Sequence, residues 1–283
     1  MNPKKNKAKA AVLFAVSVMI IAFLFTTPIA YAKVNELHVC DAPTGSISIT
    51  THSEQSEKIL LPEAIYSLND QEFDDFFMEY MYKAEMSGKC FEQIQSELSS
   101  FGIEVGTSSI QRVDSYDTRY IAPSSVTIKS YTAKRIGDSY YRIFGQVIHN
   151  STEWSPGSLD LLSVEWDYTK ATHYSTTTDG EFTTYMDGSK KDKGICLFNV
   201  EDDRMYAGDY AYAVVYIIPK SSGLTVDIGT KYIHTYNQTN ITWAIGVNVG
   251  YTSTGPTGGF TFNITGTNVV NCWQLYAENA FSN

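Results

Sequence analysis

Glu165 and Asp167 stand two apart in a segment where Leu162, Val164 and Trp166 alternate with Ser163, Glu165 and Asp167. On a strand both carboxyls project from one face, about 6 to 7 Å apart. Paired carboxylates at such a separation can cleave glycosidic bonds, although a solvated strand face shows the same pattern. Asp202, Asp203 and Asp209 bracket a turn and could offer oxygens to Ca²⁺. The Asp-x-Asp-x-Asp-Gly spacing of a dedicated calcium loop is absent, so Ca²⁺ is a weak expectation and no other cofactor is expected.

The five histidines, at 38, 52, 149, 173 and 234, include no pair at i, i+2 or i, i+4, the spacings that present a metal from one element. His149 and His234 fall at the ends of predicted strands and read as edge residues. No serine or cysteine carries a nucleophile-elbow signature, so no catalytic triad is selected. The four cysteines, Cys40, Cys90, Cys196 and Cys272, lack metal-ligand spacing. In an oxidising compartment they should form two disulfides, 40–90 and 196–272. Asn150, Asn237, Asn240 and Asn263 each open an Asn-x-Ser/Thr sequon and are candidate glycosylation sites.

That compartment follows from the N-terminus. Lys4, Lys5, Lys7 and Lys9 precede an apolar run from Ala10 to Phe25, Pro28 breaks the helix, and Ala30-Tyr31-Ala32 offers small residues for a signal peptidase. Residues 1–32 are read as a signal peptide, and an uncleaved anchor is the alternative, because the run is only slightly short of a membrane span. Cleavage leaves 17 basic and 31 acidic residues, a net charge near −14 in place of −10. Such a surface repels phosphate backbones and anionic lipid headgroups, which argues against nucleic acid as a partner.

Residues 33–68 read as an extended lead-in and 69–105 as a helical hairpin. Phe73, Phe76, Phe77, Tyr80, Met81 and Ala84 recur at helical spacing, Asn69 and Glu72 form a capping box, and Met86-Ser87-Gly88 separates a second helix bearing Phe91, Ile94 and Leu98. Residues 106–123 read as a linker. From 124 to 283 the period is two: candidate strands lie at 126–128, 140–148, 162–168, 182–186, 195–200, 210–218, 225–229 and 231–236. A C-terminal hairpin follows, with Ile241, Trp243, Ile245, Val247, Val249 and Tyr251 alternating with small or polar residues and Phe260, Phe262 and Ile264 on the return. The fold class is mainly β: an antiparallel β-sandwich or jelly-roll-like domain preceded by a short αα-hairpin.

Three functional classes fit these features. The first is a secreted, non-enzymatic extracellular protein that binds a surface, glycan or protein partner through the sandwich, using some of its 20 tyrosines. The second is a glycan-directed extracellular hydrolase using Glu165 and Asp167. The third is a pore-forming protein whose C-terminal hairpin inserts into a membrane, since Ile241 to Tyr251 matches the roughly 9 to 11 residues that a membrane strand needs.

Overall fold

The computed structural model describes residues 62–106, 110–113, 125–152, 157, 159–236, 251–252, 255–256 and 271–283. The signal peptide, Cys40, three of the four sequons and most of the C-terminal hairpin lie outside them. Among the described residues no helix is long and apolar enough to cross a membrane.

Three helices come first: α1 (Pro62–Tyr66), α2 (Asp70–Met86) and α3 (Phe91–Ser100). The Asn69 side chain accepts from the Glu72 amide while the Glu72 side chain accepts from the Asn69 amide. This reciprocal cap satisfies two otherwise orphaned donors and fixes where α2 begins. Ser87 and Gly88 end it, Gly88 in a left-handed conformation at φ 80°. The buried face of α2 carries Phe73, Phe77, Tyr80, Met81 and Ala84, as the helical spacing predicts. α1 departs from the extended lead-in, because Pro62 occupies the first helical position, where its fixed φ favours helix entry.

The strands are β1 (Ile103–Val105), β2 (Ile110–Val113), β3 (Val126–Arg135), β4 (Tyr141–His149), β5 (Asp160–Trp166), β6 (Ala171–Thr178), β7 (Thr183–Lys190), β8 (Ile195–Val200), β9 (Tyr210–Pro219), β10 (Thr225–Tyr236), β11 (Tyr251–Thr252), β12 (Gly255–Pro256) and β13 (Asn271–Ser282). One sheet has the order β1-β3-β4-β9-β6, the other β2-β13-β10-β5-β8-β7, and every pairing is antiparallel. The architecture is a β-sandwich with the αα-hairpin packed on the outer face of the first sheet.

Two hydrophobic layers hold it together. Ile128, Ile143, Val147, Val164, Trp166, Phe198, Val215, Ile228, Trp273 and Leu275 fill the space between the sheets. Phe73, Phe77, Met81, Ile94 and Leu98 from the helices meet Tyr131, Phe144, Val214 and Tyr216 from the first sheet. Period-two alternation divides each strand of the first sheet between the layers: on β4, Ile143 and Val147 face the second sheet and Phe144 faces the helices. The sheets approach closely at Gly145, where a Cβ would sit 2.9 Å from Val164 and 3.0 Å from Thr230.

Several boundaries differ from the sequence reading. The sandwich begins at Ile103 rather than 124, with β1 taken from the helical segment and β2 from the linker. β1 has three residues and β2 four, too few for a period of two to stand out in the sequence, although Ile103 and Val105 are buried on either side of exposed Glu104. The two expected strands at 225–229 and 231–236 are one, β10, because Gly229 and Thr230 continue the ladder to both neighbours. β11 and β12 pair Tyr251 with Pro256 and Thr252 with Gly255, so the chain reverses more tightly than a loop from 253 to 259 requires.

Candidate functional site

The acidic pair on β5 is not presented as a solvated face. Glu165 is buried, accepts from the Ser163 hydroxyl at 3.0 Å and from the Tyr276 hydroxyl at 3.4 Å, and burial pushes its carboxyl up to about 7 despite nearby Lys231. Asp167 lies past the strand end. Burial raises its carboxyl, but the Thr169 hydroxyl and amide and Lys170 outweigh that and hold it below the usual range. The two acids are thus pushed in opposite directions, each bound to its own partners.

The second expected disulfide does not form. Cys196 and Cys272 are both free thiols, and burial drives the Cys196 thiol up to about 12. The register explains why. Cys196 pairs with Val164, Val164 with Thr230 and Thr230 with Ala277, so Cys272 lies three strands across and well along from Cys196. At about 4.8 Å per strand and about 3.3 Å per residue the two are on the order of 20 Å apart, against the roughly 7 Å limit for a bridge. They also face opposite ways: Cys196 points between the sheets, as does Trp273, the neighbour of Cys272. Cys90, the residue before α3, is disulfide-bonded.

The three aspartates read as calcium candidates separate. Asp203 is exposed, and Asp209 caps its own turn by accepting from the Tyr206 amide at 2.8 Å. Asp202, in a single 3-10 turn after β8 (Asp202–Arg204), is buried and lies with Asp160 and His234 instead. His149 and His234 are wholly buried, which corrects their reading as edge residues. His234 shares the inward parity of Ile228, Tyr232 and Tyr236 on β10, a signal present in the sequence. His234 Nδ1 lies 2.8 Å from Asp160 Oδ2 and 3.7 Å from Asp202 Oδ2. Asp160 also accepts from the Tyr232 hydroxyl and, at 2.7 Å, from the Thr235 amide, while His149 Nε2 lies 3.3 Å from the Tyr232 hydroxyl. Asn150, the sequon residue described, is exposed and donates to Thr127 Oγ1 at 3.0 Å.

Most tyrosines of the first sheet are structural. Tyr131, Tyr140, Tyr212 and Tyr216 donate to Glu85, Asp70, Asp75 and Asp74, four carboxylates of α2. Between them lies Arg142, fully buried, bound to Asp74 at 3.1 Å and to Asp70 and Asp138 at 2.6 Å each. Burial, only partly opposed by Thr177, Tyr216 and Arg142, pushes the Asp74 carboxyl up to about 6.

One aromatic side chain is built outward. β6 is the edge strand of the first sheet, and its pairing with β9 skips Tyr174: His173 faces Ile217 and Ser175 faces Tyr216. A bulge of this kind re-aims a side chain at a sheet edge. Tyr174 is 56% exposed and stacks on Tyr140 with ring centroids 5.2 Å apart and planes at 24°. Tyr140 is in turn fixed by its bond to Asp70 and by the Arg142 guanidinium 4.9 Å from its ring centre. Thr172 and Ser175 add exposed hydroxyl-bearing side chains alongside. β6 escapes a sequence reading because its Thr-rich run has no apolar alternation.

No protein-family model matches the chain, and no curated protein matches it. Among solved structures, Fap1 fimbriae of Streptococcus parasanguinis are similar over 62% of this chain and 94% of that one, at 7% identity and a TM-score of 0.31. The third cohesin of ScaC in complex with the ScaB dockerin, from Acetivibrio cellulolyticus, is similar over 32% of this chain and 70% of that one, at 13% identity and a TM-score of 0.26. Likenesses this distant leave function to be argued from the chain's own geometry.

Proposed function

We propose that the chain is an exported, non-enzymatic binding protein that engages an extracellular surface partner at the β6 edge of its sandwich, with a glycan as the favoured ligand. The observation that carries this reading is Tyr174: a bulge turns it outward on an edge strand, and the ring beneath it is held by Asp70 and the buried Arg142. An exposed aromatic face on a rigid support offers a sugar ring a stacking surface, and the threonine and serine hydroxyls beside it can meet sugar hydroxyls. Export rests on the basic and apolar N-terminal pattern of residues 1–32.

The test is a glycan array probed with the labelled mature chain and with Tyr174→Ala. The wild type should bind a defined subset of glycans, and the variant should lose about tenfold in affinity, roughly 1.4 kcal/mol, while melting within a degree or two of wild type. Undiminished binding by the variant would remove the site. A wild type that binds no glycan but does bind a protein partner through Tyr174 would replace the ligand class and keep the surface.

A further inference from the structure

We propose that Asp160, Asp202 and His234 form a binding site for a zinc-class divalent cation, built into one end of the sandwich and separate from the β6 edge. The three residues come from three neighbouring pieces of the second sheet: the first residue of β5, the turn after β8 and the inward face of β10. β5 lies between β8 and β10, so Asp160 is flanked by the elements that carry the other two. One donor atom from each residue lies within 4.8 Å of the others, and all three side chains are buried.

The distances suit a shared ion. Two ligands of a tetrahedral zinc centre, bonded at about 2.0 to 2.2 Å, stand about 3.4 Å apart. His234 Nδ1 is 3.7 Å from Asp202 Oδ2 and 2.8 Å from Asp160 Oδ2, so a small opening of the second contact admits the metal. The chemistry of the set selects the ion class: an imidazole nitrogen with two carboxylates suits zinc and its transition-metal neighbours, whereas calcium and magnesium prefer oxygen alone. A dication also matches the charge of two buried carboxylates, which are costly to keep in a protein interior.

The supports that a metal ligand needs are present. The Thr235 amide orients Asp160 through Oδ1 at 2.7 Å, and the Tyr232 hydroxyl donates to Oδ2, the oxygen that faces His234. His149 Nε2 meets that hydroxyl at 3.3 Å. The His234 ring is packed against Trp273 at 4.8 Å and Tyr236 at 5.9 Å between centroids, which limits its rotation. Such outer partners fix ligand orientation. Bound there, the ion would pin β5, β10 and the turn after β8 together and would act as a structural centre.

The test uses the tag-free mature chain, stripped with chelator and titrated with ZnCl₂ by calorimetry, with CaCl₂ in parallel. The expected result is about one equivalent of zinc at micromolar affinity or tighter, a higher melting temperature in zinc than in EDTA, and at least tenfold weaker binding in both Asp202→Asn and His234→Gln. Substituting Co²⁺ into the wild type should give a visible absorption band of a four-coordinate nitrogen and oxygen site, which decides the matter even if a variant fails to fold. Failure of the wild type to bind zinc, a preference for calcium, or zinc binding undiminished in two folded variants would each overturn the proposal.

Discussion

Replacing Arg142 with Met tests how the helical hairpin is held on the sandwich. Arg142 is fully buried and bound to Asp74, itself fully buried, as well as to Asp70 and Asp138; its guanidinium also lies 4.3 Å from the centre of the Phe73 ring. Methionine preserves much of the volume but leaves Asp74 without its cation. Breaking a buried pair on one side costs about 3 to 5 kcal/mol, which in a domain of this size lowers the melting temperature by about 6 to 20 °C. The loss should depend on pH. The Asp74 carboxyl is raised from 3.8 to about 6 in the fold, so between those values the folded state binds more protons than the unfolded state. Its stabilising contribution is therefore present below pH 3.8 and is lost as pH rises through 6, a swing of about 3 kcal/mol. Without Arg142 the carboxyl is raised further, so acidification neutralises the orphaned charge and restores part of the stability. Thermal melts of wild type and Arg142→Met at pH 7.5 and pH 5 should show a clearly smaller deficit at pH 5. An equal deficit at both values, or none at pH 7.5, would refute the reasoning.

Two further outcomes follow from the cysteines and the N-terminus. Under denaturing, non-reducing conditions two thiols should alkylate, mapping to Cys196 and Cys272, while Cys90 is recovered linked to Cys40; a peptide joining Cys196 to Cys272 would contradict the register of the second sheet. Reducing the 40–90 bridge, which closes a loop of about 50 residues, should remove about 4 kcal/mol and lower the melting temperature. Intact-mass analysis of the exported chain should find Lys33 as its first residue, and a cell-bound product retaining Met1 would establish an anchor instead.

What could be read from the sequence was whatever repeats locally. The α2 spacing from Phe73 to Ala84 and its Asn69–Glu72 cap reappear in the fold, and the strands from β3 to β10 were readable wherever large apolar residues alternate. β13 was missed although Trp273, Leu275 and Ala277 all point inward, because a small Ala277 and a polar Asn279 dilute its apolar face. Asp160, Asp202 and His234 are far apart in the chain and share no motif; only strand order brings them together. The 196–272 pairing failed for the same reason, since β-type sequence at two positions says nothing about which strands are neighbours. Tyr174 depended on a bulge, which has no marker in a Thr-rich run.

The joint between α2 and the first sheet relies heavily on neutral donors: four tyrosine hydroxyls each meet a carboxylate of the helix. Burial, with those carboxylates, holds the phenols of Tyr131, Tyr140, Tyr212 and Tyr216 above their ordinary range, so they remain protonated and go on donating well into alkaline solution. A hydroxyl carries no net charge for salt to screen, whereas an exposed lysine–glutamate pair weakens as ionic strength rises. As salinity rises, these four contacts keep their grip under conditions that would loosen a surface laced with ion pairs.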